Sequence, residues 1–113
     1  FIDMYENSFM EKEKLWKQFG IEGPMREASD ANILSAALRL NLASNAVFCV
    51  ETIIDWLFLV GIFEGDPYQY RINTPGSITY NNWSLTVPIN LEDLLKHPVC
   101  AIIKEMVNSS GRI

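Results

Sequence analysis

The sequence predicts an α/β protein that is mostly helical and contains about one buried strand. Three observations lead to that class. An amphipathic helical pattern opens the chain, a short β-branched and aromatic run occupies residues 45–53, and helical patterns flank that run on both sides. Because one strand cannot form a sheet alone, we expect the other strands to come from elsewhere in a longer polypeptide.

Residues 5–19 are predicted to form the first, amphipathic helix. Its apolar residues recur at spacings of three, four and seven: Phe9, Met10, Leu15, Trp16 and Phe19. Gly20 is expected to end the helix, because glycine readily adopts the left-handed C′ conformation. A Gly/Pro-containing connector follows, so residues 1–28 are interpreted as a helix and a connector.

Residues 29–61 are predicted to form a helix–strand–helix unit. Ser29 is a favourable N-cap for an apolar helix over residues 30–44. The run at 45–53 lacks a helical stripe and suits a strand that is buried on both faces, as in a parallel sheet. A short helix then ends at Gly61.

Residues 62–90 are predicted to be a loop, and residues 91–113 two terminal helices. Asn90 is a candidate cap for the short first helix of that pair. Pro98 occupies a favoured first-turn position of the second.

The composition is rich in apolar residues for a single domain. The chain has 113 residues, of which 49% are hydrophobic and 12% aromatic. A domain of this size buries only a modest core, so we expect a surface that a partner covers. The chain begins at Phe1 with no leader signature, and we therefore expect it to be a piece of a longer polypeptide.

Charge and apolar patterning exclude several classes. The net charge is −5 and the cations are scattered, which argues against a nucleic-acid partner. The most apolar run, residues 53–63, is too short to span a membrane and contains Asp55. Cys49 and Cys100 lie in apolar surroundings without a disulfide framework, which favours a cytoplasmic location.

Candidates for chemistry are few. His97 is the only histidine and the chain has no phosphate-binding glycine loop, so we predict no metal site and no cofactor. Glu51 and Asp55 lie near the end of the predicted strand, where an α/β barrel places catalytic groups. The simpler interpretation is structural: Asp55 stabilises a helix N-terminus, and Glu51 pairs with a basic residue.

The stretch RINTPGSITYNNWSL, residues 71–85, has two interpretations. The amide of Asn73 can donate and accept at once, which suits a sugar hydroxyl, and an aromatic ring offers an apolar face to a pyranose. Asn-Pro and Asn-Asn pairs are also ordinary turn chemistry. The residues alone leave the two open. Trp16, Trp56 and Trp83 are each expected to be core residues.

The order of several motifs resembles the C-terminal part of 4-α-glucanotransferases of the amylomaltase family. From about Leu34 onward these motifs are ALRLNLAS, VFCVETIIDWLFL, RINTPG, NWS, LEDLL and IKEMVNSSGR. The R-x-N-x-P-G…N-W pair is the most specific of them. The resemblance implies a (β/α)8 TIM barrel of which this chain supplies the last strand and neighbouring helices, packed against the rest of the same barrel.

The resemblance also implies a function. Such enzymes transfer maltooligosaccharide or starch glucan units to the 4-hydroxyl of another sugar by a retaining mechanism. Their catalytic carboxylates lie upstream, so this chain holds no catalytic residue and is expected to be inactive alone. Asn73 would contact donor α-1,4-glucan, with Arg71, Asn82 and Trp83 in the same substrate-binding loop.

Departures from the family pattern and one alternative accompany this interpretation. Ile54 stands where the family usually has glutamine. The alternative is a free-standing helical protein-interaction module with no catalysis, which explains the apolar excess equally well.

Overall fold

Helices account for the regular secondary structure of residues 1–8 and 11–112, which are the residues that the computed structural model describes. They are α1 (Ile2–Glu6), α2 (Lys12–Phe19), α3 (Ala31–Leu42), α4 (Ile53–Leu59), a 3-10 helix (Pro67–Tyr70), α5 (Leu91–Leu94) and α6 (Pro98–Ser109). No β-strand is present in this described part of the chain. The predicted α/β class, with its segment of a (β/α)8 barrel, is therefore wrong.

The predicted buried strand is an exposed, irregular segment. Residues 45–52 join α3 to α4, and the side chains of Val47, Phe48 and Val50 are 87%, 85% and 89% exposed. A strand requires a neighbour that completes its ladder of hydrogen bonds, and the described residues contain no second strand to pair with it. Apolar β-branched composition is therefore not sufficient to form or bury a strand here.

The first predicted helix is divided into two. The backbone N–H of Asn7 closes α1 on the carbonyl oxygen of Asp3, and α2 begins at Lys12. Phe9 and Met10, which belong to the predicted apolar stripe, lie outside the described residues. Gly20 ends α2 with φ of 63°, as predicted.

Side chains that are close in sequence cap the N-termini of the longer helices. Asp30, rather than the predicted Ser29, caps α3, because its Oδ1 accepts hydrogen bonds from the backbone N–H groups of Asn32 and Ile33. Pro98 begins α6 as predicted, and the Nδ1 atom of His97 accepts a hydrogen bond from the Val99 N–H group at 3.1 Å. The single histidine is thus a helix cap.

Helix α3 contacts both clusters of buried apolar side chains. One cluster combines α3 with α4 and α6 through Leu34, Leu38, Leu42, Trp56, Val99 and Met106. The other packs Ile33 of α3 against Tyr5 and Trp16, on α1 and α2. Because α3 supplies apolar side chains to both clusters, it connects them.

Arg112 joins the chain after α6 to the end of α3. Its guanidinium donates to the carbonyl oxygens of Leu42, Ser44 and Ala46 at 2.5, 2.8 and 3.1 Å. These carbonyls lie at and beyond the helix C-terminus, where intrahelical partners are missing and a cation is favourable. Arg112 therefore caps α3 and fixes the start of the exposed 45–52 segment.

Candidate functional site

The loop that carries the predicted site is anchored by an aromatic cluster. The ring of Tyr70, at the end of the 3-10 helix, lies 4.4 Å from the ring of Phe63 and 5.2 Å from the ring of Phe58 in α4. The Tyr70 hydroxyl donates to the carbonyl oxygen of Glu64 at 2.9 Å. The chain therefore enters the loop at Arg71 from a packed support.

Asn82 holds the loop together. Its Oδ1 accepts a hydrogen bond from the Thr74 N–H group at 3.0 Å, and its Nδ2 donates to the carbonyl oxygen of Ser77 at 3.0 Å. The Pro-Gly turn lies between these two contacts, and the Ser77 N–H group closes it on the Thr74 carbonyl at 3.2 Å. Asn82 thus fixes the conformation of the turn from the other side of the loop.

Trp83 adopts a backbone conformation that is unusual for a bulky residue. Its φ is 64°, and in the described part of the chain glycines are the only other residues with positive φ. Its indole is 78% exposed, whereas Trp16 and Trp56 are buried. The expectation that Trp83 is a core residue is therefore wrong, while that for Trp16 and Trp56 is confirmed.

The loop borders a polar cleft of about 590 Å³. Hydroxyl and amide side chains form much of its wall: Thr74, Ser77, Thr79, Asn81, Asn82 and Thr86. Such groups donate and accept hydrogen bonds and carry no charge. Apart from Arg71, the residues of this wall carry no charge, so the cleft is suited to a ligand with many hydroxyl groups.

The four predicted site residues do not all line this cleft. Arg71 and Asn82 form part of its wall. Asn73, which is half-buried, and Trp83, whose ring is exposed, lie outside the wall although they are neighbours in the loop. Sequence reasoning missed Thr79 and the other small polar residues, whose signal was their repetition between residues 77 and 86.

Arg71 lies between the polar cleft and a second, smaller cleft. The smaller cleft has a volume of about 270 Å³ and is bordered by Asp3, Asp55 and Tyr70. Tyr68 and Arg71 border both clefts. The Arg71 guanidinium lies over the Tyr68 ring, 4.1 Å from its centroid, and its Nη2 is 3.5 Å from Asp3 Oδ2.

Asp3 is stabilised in its ionised form by these neighbours. A hydrogen bond from the Tyr68 hydroxyl is the main cause that lowers the pKa of Asp3 below its ordinary value, and Asn7 and Arg71 lower it further. The same hydrogen bond raises the pKa of the Tyr68 hydroxyl. The two groups therefore form a pair of a carboxylate and a neutral phenol.

Two curated proteins are similar to this chain. It is 36% identical over 61 residues to a protein of Chlamydia muridarum named 4-alpha-glucanotransferase, a match that covers 53% of this chain and 12% of that protein. It is 31% identical over 88 residues to a protein of the same name from Chlamydia trachomatis, covering 77% of this chain and 16% of that protein. The chain resembles 4-alpha-glucanotransferases.

The resemblance inferred from the motifs is therefore confirmed. The chain spans less than a fifth of the length of the two 4-alpha-glucanotransferases that it matches. No family model matches the chain. No solved structure matches it either.

The carboxylates considered for catalysis have local contacts in this glucanotransferase-like chain. Asp55 lies in the first turn of α4, where its Oδ2 accepts a hydrogen bond from the Thr52 hydroxyl at 2.7 Å. Glu51 lies beside Cys49, whose Sγ is 3.5 Å from Glu51 Oε1. Burial raises the pKa of the Cys49 thiol, and Glu51 raises it further.

The described residues contain no group of three or more acidic, histidine or cysteine side chains that could hold a metal ion. They also contain no helix that is long and apolar enough to cross a membrane.

Proposed function

We propose that this chain is part of a 4-alpha-glucanotransferase and that the loop at residues 71–86 contacts donor α-1,4-glucan. The similarity to two proteins of that name carries this proposal. The polar cleft beside the loop supports it, because its uncharged hydroxyl and amide groups match the chemistry of a sugar.

The size and composition of the cleft agree with a carbohydrate ligand. Its volume of 590 Å³ lies within the range of about 300–1,000 Å³ that is usual for small-molecule sites. Pyranose hydroxyls both donate and accept, as do the side chains of Asn81 and Thr79. Arg71 adds donors, which pair with hydroxyl oxygens of the glucan.

Asn73 is proposed to contact glucan from the edge of the cleft. It lies between Arg71, which borders the cleft, and Thr74, which Asn82 holds through a hydrogen bond. The position of its backbone is therefore restricted on both sides. A restricted backbone loses little further conformational freedom when a sugar hydroxyl binds to the side-chain amide.

The chemical step is assigned to residues outside this chain. Retaining transfer of a glucan requires two carboxylates that flank the scissile glucosidic bond. One is the nucleophile and the other is the acid/base. The Thr52 hydroxyl donates a hydrogen bond to Asp55, and Asp3 pairs with Arg71, which supports structural roles for both carboxylates. The contribution of this chain is then binding and orientation of the donor.

A titration with maltoheptaose tests the proposal. In the isotope-labelled 113-residue chain, we expect the backbone amide signals of Thr74, Thr79 and Asn82 to shift with a common dissociation constant. Cellopentaose, whose glucose units are β-linked, is the matched control and should shift them less. Equal shifts with both sugars, or none with maltoheptaose, would contradict the proposal. The chain alone should not disproportionate maltotriose.

A second candidate function is a helical protein-interaction module. The exposure of Val47, Phe48 and Val50 favours it, because three large apolar side chains exposed within four residues are costly in water. This function predicts a chain that binds neither sugar and self-associates less when Val47 and Val50 are replaced by lysine. The maltoheptaose titration therefore distinguishes the two candidates.

A further inference from the structure

Arg71 is the charged side chain shared by the two clefts. It borders the polar cleft together with Asn82, and it borders the smaller cleft together with Asp3 and Asp55. Its guanidinium has five N–H donors in a planar fork, and the direction of that plane decides which of them face a ligand. The groups that fix the plane therefore control what the polar cleft can bind.

Two side chains fix the guanidinium of Arg71. The Tyr68 ring lies against it, with 4.1 Å between the guanidinium carbon and the ring centroid, which restricts the tilt of the plane. Asp3 Oδ2 lies 3.5 Å from Nη2 and restricts rotation within the plane. Tyr68 precedes Arg71 by only three residues, whereas Asp3, in α1, is 68 residues away in sequence.

Asp3 is itself held in place. Its carboxylate accepts a hydrogen bond at 2.9 Å from the side-chain amide of Asn7, the residue that ends α1, and the Tyr68 hydroxyl lowers its pKa. A carboxylate with several donors has one favoured orientation, and this orientation directs Oδ2 toward Arg71. The arrangement resembles the supporting contacts that fix functional side chains in preorganised sites.

We propose that Asp3 is a positioning residue for Arg71 and thereby sets the affinity of the polar cleft for glucan. This inference rests on the proposed glucan contact and goes beyond it, because it assigns a role in ligand binding to helix α1. Asp3 itself does not touch the ligand. Its carboxylate pairs with the Arg71 N–H group that faces α1, and this pairing holds the other N–H groups toward the polar cleft.

The test compares Asp3→Asn with Asp3→Glu in the 113-residue chain. The first readout needs no ligand: the Nε–Hε signal of Arg71 in NMR spectra reports the surroundings and exchange of the guanidinium. Asp3→Asn should shift this signal and accelerate its exchange with water, and Asp3→Glu should restore both. The matched control, Glu13→Gln, removes one charge from an exposed pair with Lys17 on α2 and should leave the signal unchanged.

The second readout is the dissociation constant for maltoheptaose. We expect Asp3→Asn to weaken binding about threefold to tenfold, in the same direction as Arg71→Ala but less, and Asp3→Glu to recover most of the loss. An unchanged Arg71 signal in Asp3→Asn would overturn the inference. So would wild-type affinity in Asp3→Asn while Arg71→Ala weakens binding.

Failure of the proposed function gives a different result from failure of this inference. If the wild-type chain binds no maltoheptaose, the proposed function fails, and the proposed control of glucan affinity fails with it. Asn7→Ala provides a variant that leaves the side chains of Asp3, Tyr68 and Arg71 unchanged and removes the hydrogen bond that Asn7 donates to Asp3 Oδ1. A shift of the Arg71 signal in that variant supports the positioning role, and an unchanged signal counts against it.

Discussion

The backbone N–H group of Trp83 donates to the carbonyl oxygen of Ile72 across 2.6 Å, and this bond joins the two ends of the loop that borders the polar cleft. It holds Trp83 in a left-handed conformation that costs an L-residue about 1–2 kcal/mol. The indole consequently lies in solvent instead of in a core. The loop is thus closed by backbone contacts rather than by burial of its largest side chain.

Replacement of Trp83 should therefore have little effect on stability. We expect Trp83→Ala to change the free energy of unfolding by less than about 1 kcal/mol, as for an ordinary surface substitution. Trp56→Ala is the matched control, because Trp56 is only 5% exposed and its removal should cost about 3–5 kcal/mol. Urea denaturation followed by circular dichroism compares the two. A loss above 3 kcal/mol, roughly the cost of a buried ring, in Trp83→Ala would mean that the indole is buried in solution.

Asn82 should control the order of the loop. Asn82→Ala removes the acceptor of the Thr74 N–H group and the donor to the Ser77 carbonyl, so we expect faster hydrogen exchange at Thr74. Asn82→Asp keeps the acceptor oxygen and loses the donor, and should preserve most of the protection at Thr74. Equal exchange rates in the two variants would show that the hydrogen bond to Oδ1 does not protect this amide.

Asn73 should affect glucan binding and not folding. Asn73→Ala removes a hydrogen bond to a neutral partner, worth about 0.5–1.5 kcal/mol, so the affinity for maltoheptaose should fall by up to about tenfold. The urea midpoint should not move, because Asn82 and the Pro-Gly turn hold the backbone. Unchanged affinity with a lowered midpoint would identify Asn73 as a turn residue only.

Arg112 should stabilise the end of α3. Arg112→Ala leaves the carbonyl groups of Leu42, Ser44 and Ala46 without their guanidinium donor. Because these bonds are partly exposed, we expect a loss of about 1–3 kcal/mol in the free energy of unfolding. Arg112→Lys keeps the charge without the fork of donors and should recover less than half of that loss. Full recovery by lysine would mean that charge alone stabilises the helix end.

The ionisation of Asp3 predicts a dependence on pH. Its pKa is lowered from 3.8 in the folded chain, chiefly by the Tyr68 hydroxyl, so its contribution to stability is present above pH 3.8. That contribution is lost as the pH falls through the lower value of the folded chain. Tyr68→Phe should return the titration midpoint of Asp3 toward 3.8 more than Arg71→Gln does, as measured from carboxyl carbon shifts. The reverse order would make the guanidinium the main cause.

Local sequence was sufficient to predict several helix boundaries. Gly20 ends α2 and Pro98 begins α6, because left-handed termination and first-turn proline depend on the residue itself and on its immediate neighbours. Asn90 caps α5 for the same reason, since its Oδ1 accepts a hydrogen bond from the Asp93 N–H group. The order of several motifs, of which R-x-N-x-P-G…N-W is the most specific, likewise predicted the similarity to 4-alpha-glucanotransferases.

Only the tertiary structure decided the rest. The composition of residues 45–53 predicts a buried strand. Strand formation and burial, however, depend on a partner strand that the described residues do not supply, and Phe48 is exposed. An aromatic residue such as Trp83 is ordinarily a core residue, but the bond to Ile72 and the loop that it closes turn the ring outward. The contact of Asp3 with Arg71 joins residues far apart in sequence. No local pattern encodes it, because it depends on the packing of α1 against the 3-10 helix.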